Sequence, residues 1–258
     1  MKYYIVDSFT DTVFRGNPAG VCVLNEWIDN KAMKNIACEN NLSETAFVVK
    51  SSNHYELKWF TPTEEVDLCG HATLGAAFVI SNFIDIGALY MEFHTLSGIL
   101  KVERKNDTYI LNLPVRKTEK VHIPENIGNI LGVEPKEAYL SQDYVFILEN
   151  EEQVKRLSPN IKEIKNIADV TGVIVTSRGK EVDFVSRCFF PKQGIDEDPV
   201  TGSAHCTLIP LWYEKLHKNK MTAKQLSKRG GLLYCEFLEE RVLISGKAVL
   251  YLKGEILP

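Results

Sequence analysis

Two stretches, FTPTEEVDLCGHA at residues 60–72 and FPKQGIDEDPVTGSA at residues 190–204, follow the same plan. Each starts at the end of an apolar strand, continues through an acidic loop, and reaches a glycine that opens a helix of small residues. Each is also followed by strands with a glycine turn, at residues 97–98 in the first half and 245–246 in the second. A unit that occurs twice indicates an internal duplication and two similar domains.

The segments around these stretches are rich in predicted strands. Residues 3–6 and 21–24 are short aromatic or β-branched runs, and each half has just one long apolar helix. This pattern favours an α+β protein in which β-structure wraps a helix, and it argues against a doubly wound parallel sheet. Pro210 lies inside the second predicted helix and should kink or shorten it.

A chain of 258 residues is long enough to form two domains, each with its own core. The polar stretch at residues 116–120 is the predicted boundary. It gives an N-terminal domain at residues 1–116 and a C-terminal domain at residues 117–258, with the last strand able to return to the first domain.

Composition narrows the range of partners. The net charge is −4 and no broad basic face is present, which argues against nucleic acid, although helix ends can still bind small acidic ligands. The apolar run at residues 74–80 is too short to span a bilayer, so no membrane partner is expected. Residues 1–7 have no long apolar run and do not predict a signal peptide. The six cysteines are scattered without a paired framework, which predicts reduced thiols and a cytoplasmic protein.

The two helix starts, Gly70-His71 and Gly202-Ser203, are the first candidates for a binding site. A glycine lets the backbone approach a ligand closely, and the N–H groups of a first helical turn bind anions. If a pseudo-twofold axis relates the halves, the two starts face one another across a cleft between the domains and clamp a substrate carboxylate. The alternative is that these glycines only permit tight helix packing.

Glu44 is a candidate general base because it immediately precedes an apolar strand, where burial would raise the pKa of its carboxyl group. The alternative is a helix-end or surface glutamate satisfied by Ser43 or water, and the residues alone favour that alternative. His71 should be neutral at a positive helix end. Asp198 precedes a proline and could simply cap a helix. His205 should face the core.

Metal and nucleotide motifs are missing. There is no HExxH and no CxxC, and Cys69 with His71 and His205 with Cys206 form only two loose pairs, so no metal is predicted. The glycines at residues 16–20 lack the lysine of a phosphate loop, and no dinucleotide fingerprint occurs. Neither Ser43 nor Ser203 lies in a Gly-x-Ser-x-Gly motif, which argues against a serine nucleophile.

With these residues in view, the chain resembles the PhzF family, the phenazine-biosynthesis-like isomerases. The resemblance covers almost the whole chain, in residues 7–9, 14–19, 41–47, 60–62, 69–73, 197–205, 245–248 and 254–255. It implies the fold of diaminopimelate epimerase, with two similar domains that are each a β-barrel-like sheet wrapped around a central helix. It also implies a homodimer and a proton-moving isomerase that uses neither cofactor nor metal.

The resemblance assigns roles to particular positions. It implies Glu44 as the acid/base, with His71, Asp198 and Ser203 as further catalytic residues around a small carboxylate-bearing substrate. The substrate-binding residues that we expect with them are Asn17, Ser43, Gly70, Ala72, Thr73, Thr201, Gly202 and Ala204.

The related epimerases use two cysteines, one at each helix start. This chain has Cys69 at the first start but Thr201 at the second, and a hydroxyl cannot replace the second thiol. Two alternatives to the isomerase stay open. One is a racemase or epimerase of an amino or hydroxy acid, and the other is a small-carboxylate-binding protein without turnover.

Overall fold

The structure is a computed structural model that describes residues 1–257. It contains two compact units. Unit 1 comprises Met1–Leu113 and the chain from Leu243 onward, and unit 2 comprises Pro114–Val242. The expected boundary after residue 116 therefore lies three residues earlier. The C-terminal residues belong to unit 1 because the last strand pairs with the first, Lys2 lying opposite Glu255.

The elements of unit 1 alternate short strands with two helices. In chain order they are β1 (Lys2–Ser8), β2 (Asn17–Leu24), α1 (Asn30–Asn40), β3 (Glu44–Lys50), β4 (Tyr55–Phe60), β5 (Glu65–Val66), α2 (Gly70–Val79) with a π-helical turn (Ile80–Ile84), β6 (Tyr90–Thr95), β7 (Gly98–Lys105) and β8 (Thr108–Pro114).

The elements of unit 2 follow a similar alternation. They are β9 (Glu119–Val121), α3 (Ile127–Leu131), β10 (Glu137–Leu140), β11 (Tyr144–Ile147), α4 (Glu151–Arg156), α5 (Ile161–Asn166), β12 (Val173–Arg178), β13 (Phe184–Phe190) with a 3₁₀ turn (Pro191–Gln193), β14 (Ile195–Asp198), α6 (Gly202–Leu216), β15 (Lys220–Gln225) and β16 (Gly231–Leu238). The last strand, β17 (Arg241–Glu255), runs on into unit 1.

The strands of unit 1 close into a ring. β1 pairs antiparallel with β2 and β17, β2 pairs parallel with β3, and β3 pairs antiparallel with β4. β4 pairs parallel with β6, a meander leads through β7 to β8, and β8 pairs with β17. Helix α2 is buried at every residue except Phe78, which is half-buried. A helix that is apolar on all sides belongs inside such a ring.

Unit 2 repeats the theme of short strands paired around a helix. β10 pairs antiparallel with β9 and β11, β11 pairs parallel with β12, and β12 pairs antiparallel with β13. β13 pairs with β14 and β15, and β15 pairs with β16. Helix α6 packs its Trp212 flat on Phe184, with ring centroids 5.7 Å apart, and the Trp212 Nε1–H donates to Thr176 Oγ1 at 2.9 Å. The α+β class expected from the sequence is confirmed.

Pro210 does not end α6, which continues to Leu216. Of the two predicted effects, shortening of the helix is therefore wrong, and a kink stays a prediction. A proline cannot donate to the carbonyl four residues earlier, which here belongs to Cys206. The backbone N–H of Arg116 donates to that carbonyl instead, at 3.0 Å. This outside donor satisfies the buried acceptor that the proline leaves open, so the helix can run on.

Three other structural expectations can be judged directly. His205 is fully buried and lies in the core of unit 2, as expected. None of the six cysteines, all of which lie within the described residues, forms a disulfide, and only Cys38 is exposed. Within residues 1–257, no helix is both long enough and apolar enough to cross a bilayer.

Candidate active site

Glu44 opens β3 directly after a tight turn. Helix α1 ends at Asn41 in the left-handed conformation, with φ of 49°, and the Asn41 N–H donates to the Ala37 carbonyl. The chain then enters β3, which runs parallel to β2 with Glu44 beside Ala19. The Glu44 side chain is 13 % exposed, so its carboxylate sits at the margin of the core and not in open solvent.

His71 is the second residue of α2 and faces Glu44. Its Nε2 lies 3.3 Å from Glu44 Oε2. Its other ring nitrogen, Nδ1, lies 3.1 Å from Asn17 Nδ2 and 3.5 Å from Cys69 Sγ. With the amide NH₂ of Asn17 donating to Nδ1, the single ring proton belongs on Nε2, on the side of Glu44. Burial lowers the pKa of His71 to about 3, so the imidazole is neutral at physiological pH.

Asn17 owes its position to the turn before β2. Gly16 has φ of +64°, and a Cβ there would lie 2.2 Å from the carbonyl oxygen of Ser8. Only glycine fits, because a side chain would collide with backbone that cannot move aside. The turn delivers Asn17 to the first position of β2, opposite Ser8 in β1. Ser8 Oγ in turn donates to the His71 carbonyl at 2.8 Å.

The start of α2 has no side-chain cap. Its N-cap residue is Cys69, with φ −138° and ψ 110°, and the helix start has no side-chain cap hydrogen bond. Thr73 Oγ1 donates back to the Cys69 carbonyl, which holds the first turn in shape. A helix start without a side-chain cap can present its N–H groups and its positive dipole end to an anion.

The start of α6 in unit 2 has the same backbone form. Its N-cap residue is Thr201, with φ −107° and ψ 98°, again without a side-chain cap. The Thr201 hydroxyl donates to Asp198 Oδ2 in a short hydrogen bond. His205 Nδ1 donates to the Thr201 carbonyl at 2.8 Å, and burial lowers the pKa of His205 to about 4. This histidine is therefore a neutral core residue.

Gln225, a fully buried residue of β15, holds the loop before α6. Its Nε2 donates to the Asp198 carbonyl at 2.7 Å and to Thr201 Oγ1 at 3.1 Å. Its Oε1 accepts from the Thr201 N–H at 2.9 Å. One side-chain amide thus fixes both ends of the segment from Asp198 to Thr201.

Comparison with known proteins gives a consistent result over the whole chain. A family profile described as "Phenazine biosynthesis-like protein" (PhzC-PhzF) matches residues 6–254. A Pseudomonas aeruginosa protein named as an uncharacterized isomerase is 44% identical over 256 residues, covering 99% of this chain and 98% of the relative. The chain belongs to the PhzF family.

Solved structures place this PhzF-family chain in its fold. The crystal structure of a PhzF-family protein from Enterococcus faecalis shares 48% identity and a TM-score of 0.97, covering 100% of this chain and 99% of that one. A hydroxyproline epimerase from Agrobacterium vitis has a TM-score of 0.63 at 10% identity, covering 98% of this chain and 91% of that one. That second likeness shows the fold alone, and the epimerase-like fold expected from the sequence is confirmed.

In this PhzF-family chain the structure brings Glu44, His71 and Asn17 together in unit 1, and Asp198 and Thr201 together in unit 2. Other expected site residues have restricted roles. Ala72, Thr73 and Ala204 are buried, and the Thr73 hydroxyl is bonded to its own helix. The remaining expected residues lie at the helix starts or beside Glu44, namely Ser43, Gly70, Gly202 and Ser203.

A third residue joins the Cys69–His71 pair that the sequence singled out. One ligand atom each from Glu44, Cys69 and His71 lies within 4.8 Å of the others. These are the residues that could hold a metal in unit 1. The expectation that the family chain uses no metal stays a prediction.

Sequence reasoning missed the two polar residues that support the helix starts, Gln225 and Ser8. Both continue the inward-facing phase of an alternating strand, Gln225 after Met221 and Ala223 and Ser8 after Val6. A polar residue in the apolar phase of a strand needs a buried partner. That signal was present in the sequence and could have pointed to both residues.

Asp143 is another missed group, a buried carboxyl in unit 2. Burial raises its pKa, against the opposing charge of Arg116 and a hydrogen bond from the Gly172 backbone. It lies in the electrostatic neighbourhood of Cys188, as Asp198 does, and burial raises the pKa of that thiol well above its usual range. The sequence carries no pattern around Asp143 that would have indicated burial.

Proposed function

We propose that this protein is a cofactor-independent isomerase that moves a proton on a small carboxylate-bearing substrate, with Glu44 as the acid/base. The observation that carries the proposal is the pairing of a half-buried carboxylate with a buried neutral imidazole at 3.3 Å. The membership of the chain in an isomerase-like family supports the reaction class.

The neutral state of His71 matters for the basicity of Glu44. An imidazolium at 3.3 Å would favour the ionised carboxylate and weaken it as a base. A neutral ring with its proton on Nε2 can orient one oxygen of Glu44 and leave the other to take a proton from carbon. The proton then returns from Glu44 to a different carbon of the substrate, so the atoms balance without any oxidant or reductant.

We propose that helix starts bind the substrate carboxylate. The starts of α2 and α6 both lack a side-chain cap, which supports this role. Asp198 and Ser203 are proposed as further groups of the reaction, on the strength of the family resemblance. We also propose that the protein is a homodimer, which sedimentation of the purified protein would test. We further propose that it acts in the cytoplasm.

Racemisation is the second candidate function, because a thiol stands beside the proposed base. Cys69 Sγ lies 3.5 Å from His71 Nδ1. The position that matches it in α6 is Thr201, whose hydroxyl donates to Asp198. A racemase of the two-thiol kind would need a second acid of comparable strength there, and a hydroxyl is far weaker than a thiol. The single carboxylate mechanism therefore fits these residues better.

Solvent isotope exchange tests the proposal. Candidate dihydroaromatic, amino and hydroxy acids are incubated with the enzyme in D₂O, and NMR locates the deuterium and any product. Deuterium on a new carbon supports isomerisation, whereas deuterium on the original carbon with loss of chirality supports racemisation. The Cys69→Ser variant is the control, because it should keep isomerisation and lose thiol-dependent racemisation. Tight ligand binding without exchange and without product would support a binding protein instead.

A further inference from the structure

The residues Glu44, Cys69 and His71 offer one carboxylate oxygen, one sulfur and one imidazole nitrogen in a single cluster. These are the three ligand types that Zn²⁺ takes in proteins. Among the residues that the structure describes, they are the group of His, Cys, Asp and Glu side chains whose ligand atoms approach closely enough to share an ion. We propose that this cluster binds one Zn²⁺, and that the ion inhibits the enzyme because it occupies the base of the proposed function.

The distances support a shared ion. Tetrahedral zinc with its usual bond lengths places ligand atoms about 3.4 to 3.6 Å apart. Glu44 Oε2 lies 3.3 Å from His71 Nε2, and Cys69 Sγ lies 3.5 Å from His71 Nδ1. A single imidazole binds the ion through one nitrogen, so one partner already lies at the required separation. All three ligand atoms lie within 4.8 Å of one another, so the other partner must approach by about an ångström.

Hydrogen bonds hold the backbone and the imidazole ring that would carry the zinc ligands. Ser8 Oγ donates to the His71 carbonyl, and Thr73 Oγ1 donates to the Cys69 carbonyl. The Asn17 side chain lies 3.1 Å from His71 Nδ1. If the ion takes Nε2, the Asn17 amide can turn over and accept the proton that moves to Nδ1. The Asn17 contact fixes the ring and its tautomer, which strengthens a metal site, whereas the Ser8 and Thr73 bonds hold the helix backbone that carries His71 and Cys69.

The ion would inhibit the enzyme because Glu44 is one of its ligands. Three protein ligands leave one position open for water or for a substrate carboxylate. In the bound state, however, the Glu44 oxygen that faces His71 is engaged by the cation, and a coordinated carboxylate is a poor base. This consequence rests on the proposed function, whereas the binding site itself does not.

Zinc binding is measured directly and without substrate. The purified protein is treated with EDTA, transferred to thiol-free buffer, and titrated with ZnCl₂ against a chromophoric chelator. We expect one ion per chain, with affinity lowered at least ~100-fold in Cys69→Ser and clearly lowered in Glu44→Gln. Cys38→Ser is the matched control, since Cys38 is the exposed thiol of the chain and lies outside the cluster. Equal affinity in wild type and Cys69→Ser, or a loss in Cys38→Ser instead, would overturn the site.

Cobalt gives a second measurement that needs no variant to fold. Co²⁺ bound through Cys69 should give the wild-type protein a thiolate-to-metal charge-transfer band. Saturation with Co²⁺ without such a band would also overturn the site.

Addition of Zn²⁺ to the isotope-exchange assay should stop exchange in step with site occupancy. Zinc bound at Cys69 with exchange unchanged would refute inhibition alone and leave the isomerase proposal intact. An enzyme that exchanges only when zinc is present would refute both.

Discussion

The starts of α2 and α6 share a backbone and differ in chemistry. Their N-cap residues, Cys69 and Thr201, have closely similar dihedral angles, and neither side chain caps its helix. The first start carries groups that can exchange protons or bind a soft metal, namely a thiol, an imidazole and a facing carboxylate. The second carries a hydroxyl locked between Asp198 and Gln225.

This difference shows how two helix starts with the same backbone can differ in chemical function. A repeated helix start supplies the same N–H groups and the same dipole in both halves. The side chains at the matching N-cap positions then differ in chemistry: Cys69 is a thiol 3.5 Å from the His71 ring, whereas the Thr201 hydroxyl donates to Asp198. The contact between Glu44 and His71 lies at the first start, which supports the proposal that proton transfer occurs there.

The largest expected effect comes from removing the proposed base. Glu44→Gln keeps the shape of the side chain and its contact with His71 but cannot accept a proton. We expect the turnover rate to fall at least ~10²-fold, with near-native melting and ligand affinity, measured by steady-state kinetics and thermal unfolding. Glu39→Gln, an exposed glutamate on α1, is the matched control. A fully active Glu44→Gln enzyme would move the role elsewhere, with Asp198 the first residue to test.

The next effect breaks the fixed network at the second start. Gln225→Leu leaves the Thr201 N–H and the Asp198 carbonyl without their buried partner. An unsatisfied buried polar group is destabilising, so the free energy of unfolding should fall by about 2 to 3 kcal/mol. Urea unfolding at unchanged slope measures this loss. Gln142→Leu changes an exposed glutamine of the same unit and should stay within about 0.5 kcal/mol of wild type.

A smaller effect is expected in the pH dependence of the free energy of unfolding, to which both buried histidines contribute. Burial lowers the pKa of His71 to about 3 and of His205 to about 4, whereas an unfolded histidine titrates near 6.5. The unfolded state therefore binds more protons below pH 6.5. Stability is fully present above that value and falls as the pH is lowered, by about 1.4 kcal/mol per pH unit for each histidine.

Comparison of wild type with a histidine variant between pH 6.5 and 5 isolates this effect, because the other titrating groups, including Asp143 with its raised pKa, contribute equally to both proteins. In His205→Phe, the dependence of the unfolding free energy on pH, averaged over this window, should be flatter by about 1 kcal/mol per unit than in wild type. The slope is the readout, because the lost hydrogen bond to Thr201 shifts stability equally at every pH. An unchanged slope would show that His205 is protonated in the folded protein.

Sequence patterns predicted much of this fold because they report local physics. The repeated strand, acidic loop and glycine located both helix starts, and the apolar run after Gly70 identified α2 as a buried helix. Pro210 does not shorten α6, because the Arg116 N–H donates to the Cys206 carbonyl, and no local pattern reveals that distant donor. The return of β17 to unit 1 is likewise a long-range pairing, and it was foreseen only as an option.

The candidate site was harder to predict because its parts meet only in three dimensions. Residues alone favoured a surface role for Glu44, and the family resemblance reversed that judgement. The approach of Glu44 to His71 depends on the parallel pairing of β2 with β3, which joins positions far apart in the chain. The role of Gln225 could have been inferred from strand alternation, whereas the burial of Asp143 could not.

The smallest expected effect is that of metal removal. Hydrogen bonds from Ser8 and Thr73 hold the backbone of His71 and Cys69, and α2, which carries His71, is buried along almost its whole length. An ion is therefore not needed to fold unit 1, in contrast to small domains for which the free energy of metal binding is the free energy of folding.

Metal analysis of pure protein should give sub-stoichiometric zinc. EDTA should leave the melting temperature within about 1 °C and ligand binding unchanged. Stoichiometric metal whose removal abolishes exchange would make the first helix start a metal centre. It would contradict the proposal that Glu44 acts as a base without a bound metal. Added Zn²⁺ should instead raise the melting temperature of wild type and leave that of Cys69→Ser unchanged, because an ion that binds only the folded state stabilises it by mass action.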